Sequence, residues 1–345
     1  MFPIRFYIVI FLLTLSYVGV VAQDNFRVLF YNVENLFDTI DNPHKDDNDF
    51  LPDGFMRWSE WKYWAKIDKI AKVITAVGGM NSPALVGLCE IENDSVLYDL
   101  TIRSALGAQG YEFIVTDSPD SRGINVALLY QKHQFKLIEF AQYEIKFSDI
   151  NTSPTRNILH SNGTLLNKDT LDIFVCHFPS RVSGKTETEN ARIESAKLLR
   201  NKVDSILSIR TRSNIIIMGD FNDEPHDKSM IEILNAKQKD NHINDKNLYN
   251  LFFINNKRAE YGTYKYQGVW SMYDQIIVSG RMLNGVSPIQ VENSVANIYR
   301  ESFLLERDEK YYGLKPFRTN IGPRYNRGFS DHLPIYLDLK IMFDE

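Results

Sequence analysis

Six short polar motifs stand at the edges of apolar runs in this chain: Tyr31-Asn32-Val33-Glu34-Asn35, Gly87-Leu88-Cys89-Glu90, Val175-Cys176-His177-Phe178, Met218-Gly219-Asp220-Phe221-Asn222, Tyr273-Asp274-Gln275 and Ser330-Asp331-His332. A carboxylate, amide or imidazole at the end of a buried strand is costly unless it meets a polar partner or an ion. Six such ends in one chain point to one shared polar site. Asn32, Glu34, Glu90, Asp220, Asn222 and Asp331 offer hard oxygen donors, the kind that Mg²⁺ and Ca²⁺ take. No His-Glu-x-x-His, no Cys-x-x-Cys and no histidine cluster at zinc spacing is present. The donor set suits a Mg²⁺-type ion, with Mn²⁺ or Ca²⁺ as alternatives, completed by water and a substrate phosphate. Such an ion polarises a phosphoryl oxygen and positions a water.

Of the seven histidines, His177 and His332 follow strands inside motifs. Asp331 precedes His332, and Asp274 offers a second carboxylate. A carboxylate on one ring nitrogen fixes the tautomer and raises the basicity of the other. His44, His133, His160, His226 and His242 fall in loops or turns and carry no such context. Arg181 follows His177 by four residues, and a guanidinium fork there suits a phosphate. Arg122 precedes an apolar run, and Arg318, Arg324 and Arg327 precede Ser330-Asp331-His332.

Hydrophobic period and punctuation give the elements that must position these groups. Strands are expected at 27–31, 84–89, 125–130, 136–145, 171–176, 214–218, 275–279 and 335–339. A helix is expected over 59–77, with Ser59 as N-cap, Ile67, Ile70, Ile74 and Val77 at helical spacing, and Gly78-Gly79 as the stop. Further helices are expected at 95–106, 187–209 and 229–234. Trp61 and Trp64 are expected to pack at the start of the first helix, and Trp270 in the core. Residues 38–57 read as a polar loop. Its Asp46-Asp47-Asn48-Asp49 run lacks the spacing and glycine of an EF-hand and reads as solvated. Strand alternation turns Cys89 and Cys176 away from Glu90 and His177, as two buried free thiols. Strands alternate with helices, yet several follow one another directly. That mix predicts an α/β sandwich of four layers, two packed mixed sheets flanked by helices.

Arg5 precedes an apolar run from Phe6 to Ala22, and Val20 and Ala22 are small residues placed for a cut before Gln23. Residues 1–22 therefore read as a secretory signal peptide, and 23–345 as one domain, secreted or periplasmic, with no membrane span after cleavage. The formal charge of -5 gives no global field that attracts duplex nucleic acid. It favours a small or single-stranded phosphoester. No protein partner is implied.

Taken together and in this order, the motifs resemble the endonuclease/exonuclease/phosphatase superfamily. The carriers are Gly219-Asp220-Phe221-Asn222, Ser330-Asp331-His332, strand-end Glu90 and His177, and early Asn32. The resemblance implies a deoxyribonuclease I-like fold and metal-dependent hydrolysis of phosphate esters. It implies metal-site roles for Asn32, Glu90 and Asp331, and for Glu34 either as a ligand or as an acid that supports one. Asp220 and Asn222 would handle the attacking water and a phosphate oxygen. Asp274 would back His332, and His177 would serve proton transfer near the leaving group, as in the deoxyribonuclease branch. Asn222 and His332, with Arg181, would hold phosphate. The leading reading is a secreted nuclease. The alternatives are action on a phospholipid head group or sugar phosphate, or a metal-dependent phosphate-ligand binder without turnover.

Overall fold

The computed structural model describes residues 26–253 and 260–343. The expected leader at 1–22 lies outside the described residues. Seven strands form each of two sheets. The first runs, neighbour to neighbour, through Ile289–Val291, Ile335–Ile341, Phe26–Leu36, Leu85–Ile91, Asn125–Gln131 and Tyr111–Val115, with Asn297–Ile298 beside Ile335–Ile341. The second runs through Phe135–Tyr143, Ile158–Leu165, Thr170–His177, Ile215–Asp220, Asp274–Ser279, Leu248–Asn250 and Ala236–Lys237. Each sheet has a parallel pair at its centre, Phe26–Leu36 with Leu85–Ile91 and Thr170–His177 with Ile215–Asp220. The flanking pairs there are antiparallel.

Alternation along these strands builds the layers. Val28 and Phe30 join Ile173, Val175, Ile216 and Met218 in the core between the sheets. Leu29, Tyr31 and Val33 face the other way and pack with Ile67, Ile70, Ile74 and Val77 of the helix Glu60–Gly78. Phe174, Cys176 and Ile217 pack with Ala196, Leu199 and Val203 of the helix Glu189–Ile209. The result is helix, sheet, sheet, helix, as the sequence pattern predicts. Cys89 lies in the inter-sheet core and Cys176 under the second helix; both are free and buried. Among the described residues no helix is long and apolar enough to cross a membrane.

Four local expectations change. The 95–106 helix breaks into Asp94–Tyr98, a wide turn at Asp99–Arg103 and a 3₁₀ turn at Ala105–Gln109. The Ser104 hydroxyl donates back to the Leu100 carbonyl, the local competition that ends helices at serine. Trp61 is 59% exposed, with Tyr325 edge-on and Arg327 over its ring. Asp47, read as solvated, is buried and accepts from the Asn42 amide at 3.0 Å. Two strands stand where none was expected: Tyr111–Val115, an edge strand with Glu112 exposed, and Ile158–Leu165, whose polar residues His160, Ser161 and Asn162 hide a strand that is buried along most of its length.

Close approach of the two central parallel strands needs Gly219. A Cβ there would lie 2.4 Å from the Cys176 carbonyl oxygen, a backbone atom that cannot swing away. At Gly87, across the inter-sheet core, the nearest obstacle is the flexible end of Met218 at 2.8 Å. Gly219→Ala is therefore expected to cost about 1–3 kcal/mol of stability, as overpacking does, and Gly87→Ala distinctly less. Urea midpoints measure both; equal shifts would contradict this account of the strand spacing.

Candidate active site

Register alone aligns three of the functional groups. His177 is the Cα partner of Asp220 across the parallel pair, and Asp220 is the partner of Asp274 across the antiparallel pair. His177 and Asp220 end their strands while Asp274 begins its own, so all three meet at one edge of the second sheet. In the first sheet, Asn32 pairs with Cys89, which places Glu90 beside it at the matching edge. The sheets stack, and a cleft of about 640 Å³ opens over these ends. Clefts of similar size elsewhere contain none of the strand-end motifs. Glu34, Asn35, Glu90 and Asn222 all take positive φ, between 50° and 63°. That region is unfavourable for residues with a Cβ, and its concentration at the motifs marks backbone held for side-chain placement.

One end of the cleft is a chain of carboxylates and imidazoles. His332 Nδ1 lies 2.7 Å from Asp274 Oδ2, and His332 Nε2 lies 3.7 Å from Asp220 Oδ2. Burial alone would push His332 down, but Asp274 and Asp220 outweigh it and hold the ring protonated. Asp220 is buried, and desolvation, partly opposed by His332, raises its carboxyl to about 7. Its Oδ1 accepts from the Asn222 amide at 2.9 Å and its Oδ2 from Asn32 Nδ2 at 3.0 Å. Asp220, Asp274 and His332 bring ligand atoms within 4.8 Å of one another, a spacing a cation could use. His177 sits 3.6 Å from Asp220 Oδ2 and 3.9 Å from Glu90 Oε1. Burial first, then Arg156 and Arg122, drive its pKa far down, so the ring is neutral.

Glu90 and Asp331 line the same cleft. Glu90 accepts from the Asn35 amide at 2.8 Å and lies 3.4 Å from Asn32 Nδ2. Asp331 Oδ2 pairs with Arg318 Nη2 at 3.0 Å. Of the residues expected at a metal site, Glu90 and Asp331 line the cleft, while Asn32 and Glu34 stand behind it. Glu34 is buried, with Oε1 on Arg318 and Oε2 accepting from the Thr319 amide at 2.6 Å. Burial, with help from Asp331, raises it to about 7. It buttresses Arg318, and through it Asp331, instead of facing the cleft. Asn32 Oδ1 accepts from the Glu34 amide at 3.0 Å, so in this arrangement its side chain links Glu90 to Asp220. The donor chemistry still fits a divalent ion. Five carboxylates, Glu34, Glu90, Asp220, Asp274 and Asp331, gather at these strand ends and their buttress, and Glu90 and Asp331 present hard oxygen donors to the cleft of the kind a divalent cation takes.

Arg181 is a correction. Its Nε donates to the Asn222 carbonyl, and its Nη2 to Asp223 Oδ1 at 2.5 Å and to Asp227. Two carboxylates neutralise it, so it braces the Asn222 loop in place of a phosphate clamp. Arg192, fully buried, shares Asp223 at 2.7 Å, and Gln275 Nε2 holds the Asp223 carbonyl at 2.6 Å. Sequence reasoning missed Arg156. It is buried at the cleft wall, bonded to the Phe178 carbonyl at 2.6 Å and to Asp120 at 3.3 Å, while its Nε has no partner among the described residues. It also missed Lys66, which donates to Thr319 Oγ1 and, at 2.7 Å, to the Phe329 carbonyl. A lysine on the apolar stripe of the first helix was the available signal. Arg324 is exposed on a short hairpin edge away from the cleft. Trp270 is buried in the core, as its position suggests.

Known proteins share the fold. Solved structures with the same fold include an endonuclease/exonuclease/phosphatase family protein from Bacteroides thetaiotaomicron, 18% identical, with 93% of this chain and 98% of that chain covered and a TM-score of 0.56. A mannosyl-6-phosphatase from Bacteroides thetaiotaomicron VPI-5482 is 18% identical, with coverage of 91% and 99% and a TM-score of 0.54. D. rerio TDP2 complexed with a single-strand DNA product is 16% identical, with coverage of 91% and 98% and a TM-score of 0.54. At such identities the likeness speaks for the deoxyribonuclease I-like fold. A search of curated proteins finds no significant match. The model of the Endonuclease/Exonuclease/phosphatase family matches residues 27–341, and the chain therefore belongs to that family of phosphoesterases.

Proposed function

We propose that the protein is a secreted, divalent-metal-dependent phosphodiesterase whose substrate is nucleic acid, single-stranded in preference to duplex. The observation that carries the reading is the buried Asp274–His332–Asp220 chain facing the same cleft as Glu90 and Asp331. Asp220, with its carboxyl near 7, is matched to orienting an attacking water and accepting its proton near neutral pH. Protonated His332 donates from Nε2 to a phosphoryl oxygen, and Asp274 holds its ring. Asn222 helps hold a phosphoryl oxygen. Neutral His177 contributes a hydrogen bond near the leaving group. Its suppressed basicity argues against storing a proton there, which leaves the cationic His332 as the better charge stabiliser. Glu90 and Asp331, oriented by Asn32 and Arg318, would hold the ion, which when bound supplies Lewis-acid stabilisation of phosphoryl charge. The acidic chain charge speaks against strong non-specific duplex binding, and the leader pattern at 1–22 supports secretion.

A sugar phosphate is the second reading. The cleft volume of about 640 Å³ is that of a small-molecule pocket, and Arg122 and Arg156 give one wall positive charge.

Asp220→Ala and His332→Ala should each lower kcat/KM by on the order of 10²-fold or more, measured on bis-p-nitrophenyl phosphate and on single-stranded DNA. Turnover near wild type in both would sink the assignment. Chelator should abolish turnover and Mg²⁺ or Mn²⁺ restore it. Mg²⁺ should also raise the melting temperature of the wild type, by the linkage that any native-state ligand provides. In Glu90→Gln and Asp331→Asn that rise should shrink; an undiminished rise in both variants would place the ion elsewhere.

A further inference from the structure

Two unlike kinds of side chain line the cleft besides the motif residues: the basic Arg122, Arg156 and Arg181, and the aromatic Tyr264, Tyr266 and Tyr273. The phosphate chemistry described above does not use the tyrosines.

Tyr264 and Tyr266 belong to a hairpin, Tyr264–Tyr266 with Val269–Ser271. Its turn residues Gln267 and Gly268 both take positive φ, 46° and 84°, the tight turn type that suits a twisted two-strand ribbon. Alternation puts Tyr264 and Tyr266 on one face and Lys265 on the other. Lys265 is nearly fully buried there, with Asp308 at 2.9 Å and the Tyr312 carbonyl at 2.8 Å. Trp270, its cross-strand partner, is buried with it. Tyr311 packs so closely on Gly268 that a Cβ there would come within 3.1 Å. The inner face is thus clamped, and the tyrosine face is held over the catalytic groups.

Tyr264 is tied to that machinery directly. It bridges the backbone of His332, its ring centroid lies 4.9 Å from the His332 ring, and it stacks on Tyr273 at 5.6 Å and 24°. Tyr266, two residues on, is 62% exposed at the rim. Gln267 Nε2 donates to its hydroxyl at 3.3 Å. Tyr266 lines the same cleft as the Tyr264–Tyr273 pair and leaves most of its ring free, so a flat π surface is available two residues along the strand from the ring that meets His332.

We infer that Tyr264 and Tyr266 form a stacking wall for an unpaired nucleobase attached to the phosphodiester, an inference that rests on the phosphodiesterase reading above. Stacking on a flat ring is tolerant of base identity and needs the base out of a duplex. It therefore sets strandedness without setting sequence. The tilt of Tyr264 into the cleft against His332, instead of outward, favours a base over a lipid surface.

The test uses a single-stranded oligodeoxynucleotide with a fluorescent aminopurine base beside a hydrolysis-resistant phosphorothioate linkage. Binding to the protein in Mg²⁺ should quench the aminopurine, and Tyr266→Phe should keep the quench. Tyr266→Ala should lose it and bind about 5- to 100-fold more weakly, the range for one base stacked on one ring. Unchanged melting of Tyr266→Ala, expected for an exposed side chain, shows that the fold is intact. An unquenched wild-type complex, or full quenching by Tyr266→Ala, overturns the inference. So does retention of the protein on phosphatidylcholine vesicles that Tyr266→Ala abolishes while quenching is absent. Hydrolysis of bis-p-nitrophenyl phosphate, run beside it, reads the catalytic assignment separately. Hydrolysis without quenching rejects only the wall, and quenching without hydrolysis rejects only the phosphodiesterase reading.

Discussion

Everything at this site depends on one constraint: carboxylates buried at strand ends must be compensated. Asp220 and Asp274 are neighbours across two strands and both almost fully buried. Two such charges repel and lose hydration, a combination that the low local dielectric makes expensive. His332 answers it by lying between them, 2.7 Å from one and 3.7 Å from the other. The same compensation fixes its protonation and leaves Asp220 poised near neutrality. On the function proposed, the poise that catalysis would use is a by-product of satisfying buried charge.

The constraint propagates outward. Asn32 ties Asp220 to Glu90, and Arg318 ties Asp331 to Glu34. Lys66 then reaches from the first helix to the loop around Thr319 and Phe329, where burial lowers its pKa to about 8. On the other side Asp223, one residue beyond Asn222, is shared by Arg181 and Arg192 and capped by the Ser229 hydroxyl at 2.5 Å. These pairs contribute little net stability if buried ion pairs behave here as they do generally. Their value is positional, because each fixes a loop carrying one functional residue.

Much of this was legible in the chain. Apolar runs ending in Glu90, His177 and Asp220 specify buried strands with polar tips, and their register then forces the tips together. The Asp274–His332 pairing followed from the family resemblance; the residues alone offered only two candidate carboxylates, Asp274 and the adjacent Asp331. What pattern could not show was side-chain commitment. Arg181 looks like a phosphate clamp beside His177, yet Asp223 and Asp227 claim it first. Glu34 reads equally as a ligand or as support for one, and what pattern could not decide is that Thr319 and Arg318, 285 and 284 residues away in sequence, take both its oxygens. Such long-range partners carry no local signal. The same holds for Arg156, whose role follows from burial against Phe178 and not from any motif, and for the tyrosine wall, whose hairpin strands are only three residues long.

The central claim is that Asp274 acts through His332 on the reaction that Asp220 serves. A double-mutant cycle with Asp274→Asn and His332→Ala, read as kcat/KM on bis-p-nitrophenyl phosphate with saturating Mg²⁺, tests it most directly. If Asp274 only holds and charges the ring, the double variant should be no slower than His332→Ala alone. Losses that multiply, with the double variant slower by the product of the two single effects, would contradict the account.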